Sequence, residues 1–250
     1  MRVAALYDIH GNLPALDAVL DQLRGTRVDA IVCGGDAIVG PQSRDVLDRL
    51  AASGMPVHYV RGNAEAAVAE RLAGRVPAAV PELYRPAIDW TAAQIGPTHG
   101  AAIASWPLTV RLDLDGIGPV VFCHATPRDD NEIFTRVTPA ERLAPVIAPV
   151  NAALLVCGHT HMQFDRQVGG TRVVNAGSVG LPWGAPGAEW LLLGPGVELR
   201  RTEYDVALAA RAVRSAGYPD AGDFFFRGVT TPPPIAQMEA AYERMSLGAG

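Results

Sequence analysis

The chain contains no lysine: all 21 of its basic residues are arginine, against 26 acidic residues, and the formal net charge is −5. A general basic surface for nucleic acid is therefore not expected, although a local pocket for phosphate is not excluded. Only 19% of the 250 residues are charged and 49% are hydrophobic, which excludes a disordered chain. This size predicts one main domain with an appendage rather than two full domains.

Cysteine and long apolar runs are also scarce. Cys33, Cys123 and Cys157 end apolar runs without C-x-x-C spacing, which is typical of small buried side chains in a reducing compartment. The N-terminus turns polar at Asp8, too early for a secretory signal peptide. The longest uncharged stretch, residues 143 to 164, is interrupted by prolines and polar residues. We therefore predict a cytoplasmic protein that does not span a membrane.

Short apolar runs bounded by glycine and polar residues predict buried central strands. The runs are 3–6, 30–33, 57–60, 120–123, 154–157, 172–175, 190–193 and 197–200. Helical patterns separate the early runs, and the first of them starts after Asn12, contains Pro14 and ends at Gly25. Further helices are expected over 45–52, 64–73 and 82–106, the last broken at Gly96-Pro97. The alternation predicts an α/β layered fold whose early strands are parallel and whose strands after Gly169 are antiparallel.

The later part of the chain carries weaker signals. Thr138-Pro139-Ala140-Glu141 resembles a capping box before a short helix. After Arg201 the composition changes, and we predict an amphipathic helix over 206–216, a glycine- and proline-rich segment over 219–234 and a final helix over 235–245. The expected division is a catalytic domain over 1–203 and a C-terminal helical appendage over 204–250.

Polar residues of metal-binding type follow five of the predicted strands, just past their C-terminal ends. They are Asp8 and His10, Asp36, Asn63, His124, and His159 with His161, in strand order. Ligands bind at this edge of open α/β sheets. One histidine beside a core strand is usually structural, but a set of seven such residues at successive strand ends predicts a site.

The donor types restrict the cofactor. Imidazole and carboxylate without thiolate suit Mn, Fe, Zn or Co rather than a structural zinc cluster, and seven donors exceed the needs of one tetrahedral ion. Two ions are implied, with a carboxylate on a central strand end as the natural bridge between them. Two such ions can polarise a phosphoryl oxygen and hold a bridging hydroxide for attack, which favours phosphoester hydrolysis.

Five sequence blocks in this order resemble the calcineurin-like metallophosphoesterase superfamily over about residues 1 to 180. The blocks are Asp8-Ile9-His10, Gly35-Asp36, Gly62-Asn63, His124 and Gly158-His159-Thr160-His161. The resemblance implies a four-layer α-β-β-α sandwich. It also implies one metal on Asp8, His10 and His161, a second on Asn63, His124 and His159, and Asp36 between them. Asp36, Asn63 and His124 are the implied catalytic residues, and two divalent ions, Mn²⁺ or Fe with Zn²⁺, Ni²⁺ or Co²⁺ as alternatives, are the implied cofactors.

Other segments are similar to the small bacterial and archaeal phosphodiesterase branch of this superfamily. They are Gly11-Asn12, Arg61-Gly62-Asn63 and the loop from Asn175 to Pro182. We predict Asn12, Asn63, Arg128 and Ser178 as substrate-binding residues; Arg61 and Arg136 are weaker candidates. The expected substrate is a small phosphodiester.

One departure concerns the leaving group. Many phosphatases of this superfamily have histidine directly after the Gly-Asn block as a general acid, whereas this chain has Ala64 followed by Glu65. Glu65 could replace the acid, but a carboxylate in the first turn of a helix is more typical of stabilising the helix N-terminus.

Two alternatives to the phosphodiesterase stay open. A phosphomonoesterase or protein serine/threonine phosphatase is disfavoured by the missing histidine, and a non-catalytic scaffold of the same fold is disfavoured by the complete ligand set. The sequence leaves the natural substrate and the oligomeric state undetermined.

Overall fold

The structure is a computed structural model that describes residues 1–247. Over these residues ten strands form, namely β1 (Val3–Leu6), β2 (Ala30–Cys33), β3 (Val57–Tyr59), β4 (Thr109–Leu114), β5 (Gly118–Cys123), β6 (Leu154–Cys157), β7 (Phe164–Val168), β8 (Thr171–Asn175), β9 (Ala188–Leu193) and β10 (Val197–Thr202). The α-helices of the same part of the chain are α1 (Leu13–Arg24), α2 (Ser43–Ala51), α3 (Asn63–Leu72), α4 (Arg85–Ala104), α5 (Ala140–Ile147), α6 (Val206–Ser215), α7 (Phe224–Thr230) and α8 (Ile235–Glu243). Short 3₁₀ turns cover Glu82–Tyr84, Ala148–Val150 and Ala221–Asp223.

The strands form two five-stranded sheets that stack face to face. The first sheet has the order β10-β9-β1-β2-β3, and the second has the order β4-β5-β6-β8-β7. β1 pairs in parallel with β2, and β6 pairs in parallel with β5 on one side and β8 on the other. The prediction of antiparallel strands after Gly169 is therefore wrong for the pairing of β8 with β6, although β8 pairs antiparallel with β7. Hairpins add antiparallel strands at the edges.

Three apolar clusters separate the layers. Side chains of both sheets, among them Tyr7, Val32, Phe122 and Leu191, form the inner core between the sheets. α1 to α4 cover the outer face of the first sheet, and α5 covers the outer face of the second sheet. The predicted four-layer α-β-β-α sandwich is therefore confirmed.

The predicted strands and early helices are present with small shifts at their ends, but two strands are missing from the prediction. β4 and β7 lie at opposite edges of the second sheet. They carry charged residues such as Asp113 and Arg166 and have exposed or half-buried positions. Uniformly apolar runs are typical of central strands, whereas the charged and exposed positions of these two edge strands interrupt that pattern.

α4 confirms the predicted interruption at Gly96-Pro97. The helical pattern over 82–106 forms a 3₁₀ turn followed by α4, and Gly96 has φ 67° and ψ −178° at the kink. The ring of Pro97 and its missing N–H account for the kink.

The predicted capping box before α5 is wrong. Pro139 occupies the N-cap position of α5, where no side chain caps the helix. The Thr138 hydroxyl accepts a hydrogen bond from the Thr135 N–H at 2.8 Å and bonds the Glu243 carboxylate at 2.5 Å. This threonine thus links the loop before α5 to the end of α8.

The C-terminal segment has more helix than predicted. Within the glycine- and proline-rich stretch over 219–234, α7 forms because the Asp220 carboxylate accepts the backbone N–H groups of Phe225 and Phe226 at 2.7 and 2.8 Å. Phe225 packs with Leu181 and Val213. The division at residue 203 stays a prediction, and residues 248–250 of the predicted appendage lie outside the described residues. Over residues 1–247, no helix is long and apolar enough to span a membrane.

Candidate metal centre

Loops at the C-terminal ends of the strands bring all seven predicted metal ligands together. Short backbone hydrogen bonds connect these loops: the Asp8 N–H donates to the Gly35 carbonyl at 3.0 Å, and the His10 N–H donates to the Asp36 carbonyl at 2.9 Å. The Gly158 N–H donates to the His124 carbonyl at 2.8 Å, which connects the loops of the second sheet. The site therefore spans both sheets.

The first group of ligands consists of Asp8, His10 and His161, whose donor atoms all lie within 4.8 Å of one another. The two imidazole Nε2 atoms are 3.2 Å apart. Asp8 Oδ1 lies 3.3 Å from Nε2 of His161 and 3.9 Å from Nε2 of His10.

The second group consists of Asp36, His124 and His159, again with donor atoms within 4.8 Å of one another. His124 Nε2 lies 3.2 Å from His159 Nδ1 and 3.1 Å from the amide oxygen of Asn63. Asn63 is thus the fourth member of this group, as the resemblance implies.

Asp36 lies between the two groups. Its Oδ1 is 3.5 Å from Nε2 of His124, and its Oδ2 is 3.7 Å from Nε2 of His10. One carboxylate therefore presents one oxygen to each group, and its role as a bridge between two ions stays a prediction. The Ala64 N–H donates to Oδ1 at 2.9 Å and fixes the orientation of the carboxylate.

Backbone carbonyls set the tautomers of two histidines. His161 Nδ1 is 2.8 Å from the Leu181 carbonyl, and His124 Nδ1 is 3.1 Å from the Gly34 carbonyl. Because a carbonyl only accepts, each Nδ1 carries the proton, and in the neutral ring each Nε2 presents its lone pair to the ligand group. Metal-bound histidines are typically held this way.

The residues fit a pair of divalent ions. Within residues 1–247, the buried Asp8 Oδ1 accepts no hydrogen bond, although Asp8 Oδ2 accepts the His159 N–H at 2.9 Å. A buried carboxylate oxygen without a partner is costly unless a cation completes its surroundings. Two carboxylates, four imidazoles and one amide oxygen, with no thiolate, are the donors that Mn, Fe, Co or Zn accept.

Electrostatic coupling inside the site is strong. Burial raises the pKa of Asp36, but the imidazoles of His124 and His10 outweigh burial and lower it. Burial opposes protonation of His124, yet the carboxylates of Asp36 and Asp8 raise its pKa to about 10. Burial and then the neighbouring His124 lower the pKa of His159 to about 4. The carboxylates therefore favour positive charge among the imidazoles of the site.

The ligand loops carry unusual backbone strain. Five of the seven ligands have positive φ angles between 48° and 66°, in the left-handed region; they are Asp8, His10, Asp36, His159 and His161. Each such non-glycine residue costs on the order of 1–3 kcal/mol, and this strain is typical of functional sites. The sequence shows no sign of it beyond the choice of Asp and His, which tolerate this region better than most residues.

The glycines of the sequence blocks allow close approach of the ligands. A Cβ atom at Gly62 would lie 2.2 Å from Asp36 Oδ1, and one at Gly158 would lie 2.5 Å from Asp8 Oδ2. Any other residue at these positions would displace a ligand carboxylate.

Glu65 has a structural role that the sequence reasoning only partly foresaw. It is fully buried, and its carboxylate accepts the N–H groups of Asp36, Ala37 and Gly62 at 2.8 to 2.9 Å. Burial and the Asp36 carboxylate raise the pKa of Glu65 to about 7. Its oxygens are directed at the loop that carries Asp36, so Glu65 positions the central ligand. The spacing Gly62-x-x-Glu65 at a helix start is the signal that indicates this contact.

The predicted substrate-binding residues have different environments. Asn63 lines the cavity over the ligands. Asn12 is buried and caps α1 through the Ala15 N–H, and Ser178 is buried and donates to the Asp8 carbonyl at 2.7 Å. Arg128 lines a different cavity and pairs with Glu132 at 2.6 Å. The structure thus brings only Asn63 of these four to the cavity, and the substrate roles of the other three stay predictions.

Arg61 and Arg136, the weaker candidates, also pair with carboxylates. Arg61 Nε is 2.8 Å from Asp130, and Arg136 Nε is 2.6 Å from Glu239. His99, outside the sequence blocks, lies 3.1 Å from Asp48 on α2.

A cavity of about 530 Å³ opens over the ligand groups. His10, Asp36, Asn63, His159 and His161 contribute to its floor. Sequence reasoning did not predict that the C-terminal segment would form part of its wall, since that segment contains no recognised motif.

Comparisons with known proteins identify the family of the chain. A family model for the calcineurin-like phosphoesterase superfamily domain matches residues 1–194. The chain therefore belongs to the calcineurin-like phosphoesterase superfamily. No curated protein sequence matches the chain significantly.

Two solved structures are similar over most of the chain. The hypothetical protein PH1004 from Pyrococcus horikoshii OT3 is 20% identical with a TM-score of 0.76, and the match covers 88% of this chain and 94% of that one. A metallophosphoesterase from Sphaerobacter thermophilus is 26% identical with a TM-score of 0.69, and the match covers 92% of this chain and 99% of that one. The first of these likenesses supports the fold alone.

The role of Glu65 is testable by an isosteric change. In Glu65→Gln an amide N–H₂ faces backbone N–H donors, so the loop with Asp36 should shift and Mn²⁺ affinity should fall by about 10- to 100-fold. Isothermal titration calorimetry measures the change, with Glu70→Gln on the same helix as the matched control. Unchanged affinity in a folded Glu65→Gln protein would show that the contact does not position the ligand.

Metal binding should depend steeply on pH. The pKa of His124 lies near 10 without metal, so below that pH a bound cation must displace a proton. Apparent Mn²⁺ affinity is therefore expected to rise between pH 6 and 9 by about tenfold per pH unit. Titrations in buffers of different ionisation enthalpy count the protons released. An affinity independent of pH, with no proton release, would contradict the assignment.

Proposed function

We propose that the protein is a phosphodiesterase that depends on two divalent metal ions and hydrolyses a small phosphodiester. The observation that carries the proposal is the position of Asp36, with one oxygen facing each ligand group at the floor of a single cavity. A substrate phosphate in that cavity would be within reach of both groups.

One ion would be held by Asp8, His10 and His161, the other by Asn63, His124 and His159, with Asp36 shared. When bound, two such ions polarise a phosphoryl oxygen and activate a water for in-line attack. Mn²⁺ or iron suits these donors, and Zn²⁺, Ni²⁺ and Co²⁺ are also compatible.

Hydrogen bonds within the chain orient the side chains that would hold the metal ions. The carbonyls of Leu181 and Gly34 keep the imidazole lone pairs of His161 and His124 directed into the site. Glu65 and the Ala64 N–H hold the carboxylate of Asp36. The half-exposed amide of Asn63 faces the same cavity and is available to orient a phosphate.

Charge favours a diester over a monoester. The chain has no lysine, and none of the described residues that line the cavity is an arginine. A phosphomonoester has a second pKa near 6 and carries up to two negative charges at pH 7, whereas a diester carries one. A cavity whose described lining includes no arginine or lysine compensates the single charge of a diester more easily than the double charge of a monoester.

Hydrolysis of bis(p-nitrophenyl) phosphate should exceed hydrolysis of p-nitrophenyl phosphate when Mn²⁺ is present, and both should stop after chelation. Asp36→Asn should lower the rate by about 100-fold or more. Replacing a residue that binds the metal should reduce the rate at least as much as replacing a residue that only hydrogen-bonds to a metal ligand. Asp21→Asn, an exposed carboxylate on α1, is the control.

The other outcomes are distinct. A preference for p-nitrophenyl phosphate would favour a phosphomonoesterase or protein phosphatase. A metal-loaded protein that turns over neither ester would be a non-catalytic member of the superfamily.

The leaving group should be unassisted by a protein acid, because Ala64 lines the cavity where a histidine would project and Glu65 is occupied by backbone donors. Rates should then fall steeply as the pKa of the leaving alcohol rises. Ala64→His should flatten this dependence and accelerate poor leaving groups by up to about 10²- to 10⁴-fold.

A series of phosphodiesters that differ in the departing alcohol measures this slope in the wild type and in Ala64→His. Ala67→His, on the same helix and also lining the cavity, is the matched control. A shallow slope in the wild type would indicate a proton donor that the structure does not identify.

A further inference from the structure

Apolar side chains form most of the wall of the cavity above the ligand groups. Five of these side chains, named here the apolar wall, are Tyr84, Trp183, Phe224, Met238 and Tyr242. Tyr84 precedes α4, Trp183 lies in the loop between β8 and β9, and the other three belong to the C-terminal segment, residues 204–247. The family model ends at residue 194, so this segment adds to the cavity from outside the matched domain.

An aromatic row connects the metal ligands to the far side of this wall. The ring of Trp183 stacks on the His161 imidazole at 5.3 Å with an angle of 15°. Phe224 meets Trp183 edge to face at 6.2 Å, and Tyr84 meets Phe224 at 6.1 Å. The indole N–H of Trp183 donates to the Thr160 carbonyl at 2.9 Å, so its polar atom is already satisfied.

Several of these apolar groups stay accessible to solvent. Phe224 is 41% exposed, Tyr84 is 39% exposed, and Met245, another residue of the cavity, is 59% exposed. Large apolar side chains grouped in the wall of one cavity are typical of a binding site for apolar groups. A phosphate held by the ligand groups would contact only the floor.

The charges of the cavity residues disfavour a substrate that carries a second phosphate group. Cavity residues of the described chain include no arginine, and the carboxylates of Asp36 and the nearby Asp8 lie at the floor. A second phosphate bound against the apolar wall would find no counter-charge and would lose its hydration. The second substituent on the substrate phosphorus is therefore not expected to carry a further negative charge.

We propose that the apolar wall is a subsite for an apolar organic substituent, aryl or long alkyl, on the phosphoester substrate. This inference rests on the proposed function, because it assumes that the phosphate binds at the ligand groups. The substituent extends from the phosphate towards the exposed rings of Phe224 and Tyr84, whereas Trp183, which is 2% exposed, supports Phe224 from behind. The C-terminal segment thus determines substrate specificity.

The test measures binding of phosphinates to the Mn²⁺-loaded protein by isothermal titration calorimetry. A phosphinate carries one negative charge, as a phosphodiester does, and has no ester bond to hydrolyse. Dimethyl-, butylmethyl-, hexylmethyl- and methylphenylphosphinate share this head group and differ in apolar surface. Burial of methylene groups gives at most about fourfold in affinity per group. We expect hexylmethylphosphinate to bind about tenfold or more tightly than dimethylphosphinate, and the phenyl compound separates aryl from alkyl preference.

Two phenylalanines of α7 offer a matched pair of variants. Phe224→Ala removes the central ring of the aromatic row and should lower the ratio of hexylmethyl- to dimethylphosphinate affinity by about fivefold or more. Phe226→Ala also removes a phenylalanine ring, two residues further along the chain. The ring of Phe226 packs beneath the Arg214 guanidinium at 3.9 Å and lines another cavity. That control should keep the wild-type ratio.

Three results would overturn the inference in distinguishable ways. If dimethylphosphinate binds and the longer chains bind no more tightly, the apolar subsite is wrong while the proposed function stands. If no phosphinate binds and bis(p-nitrophenyl) phosphate is not hydrolysed with Mn²⁺, the proposed function fails and the subsite fails with it. Equal loss of the ratio in Phe224→Ala and Phe226→Ala would also contradict the assignment to the wall.

Discussion

The carboxylate of Asp36 holds the site together, since it lies 3.5 Å from Nε2 of His124 and 3.7 Å from Nε2 of His10. A buried charge of this kind is stable only when it is surrounded by partners. The Ala64 N–H supplies one, and the imidazoles supply the others. Glu65 in turn holds the backbone of Asp36, so a second buried carboxylate supports the first.

The fold positions this carboxylate by bringing strand ends from two sheets together. Asp8 and Asp36 come from the first sheet, whereas His124 and His159 come from the second, and the inner core between the sheets fixes their separation. The left-handed backbone at five ligand positions stores strain that the packed sheets must offset. Rigid layers and strained loops together keep the donor atoms in place before any cation binds.

The central strands, and the meeting of the seven predicted ligands at one edge of the sheets, could be predicted because both depend on local patterns. Uniform apolar runs identify buried strands, and polar residues just beyond them identify the active edge of the sheet. β4 and β7 were not predicted because exposed and less exposed positions alternate along them, so they form no uniformly apolar run. The contact of Thr138 with Glu243 and the cavity wall formed by Phe224 and Tyr242 depend on long-range packing that no local pattern encodes.

The most direct measurement is the metal content of the protein after loading with Mn²⁺, determined by native mass spectrometry. Two ions per chain are expected in the wild type and at most one tightly held ion in Asp36→Asn, because one carboxylate faces both groups. A wild-type protein that binds a single ion, or an Asp36→Asn protein that still binds two with unchanged affinity, would contradict this expectation.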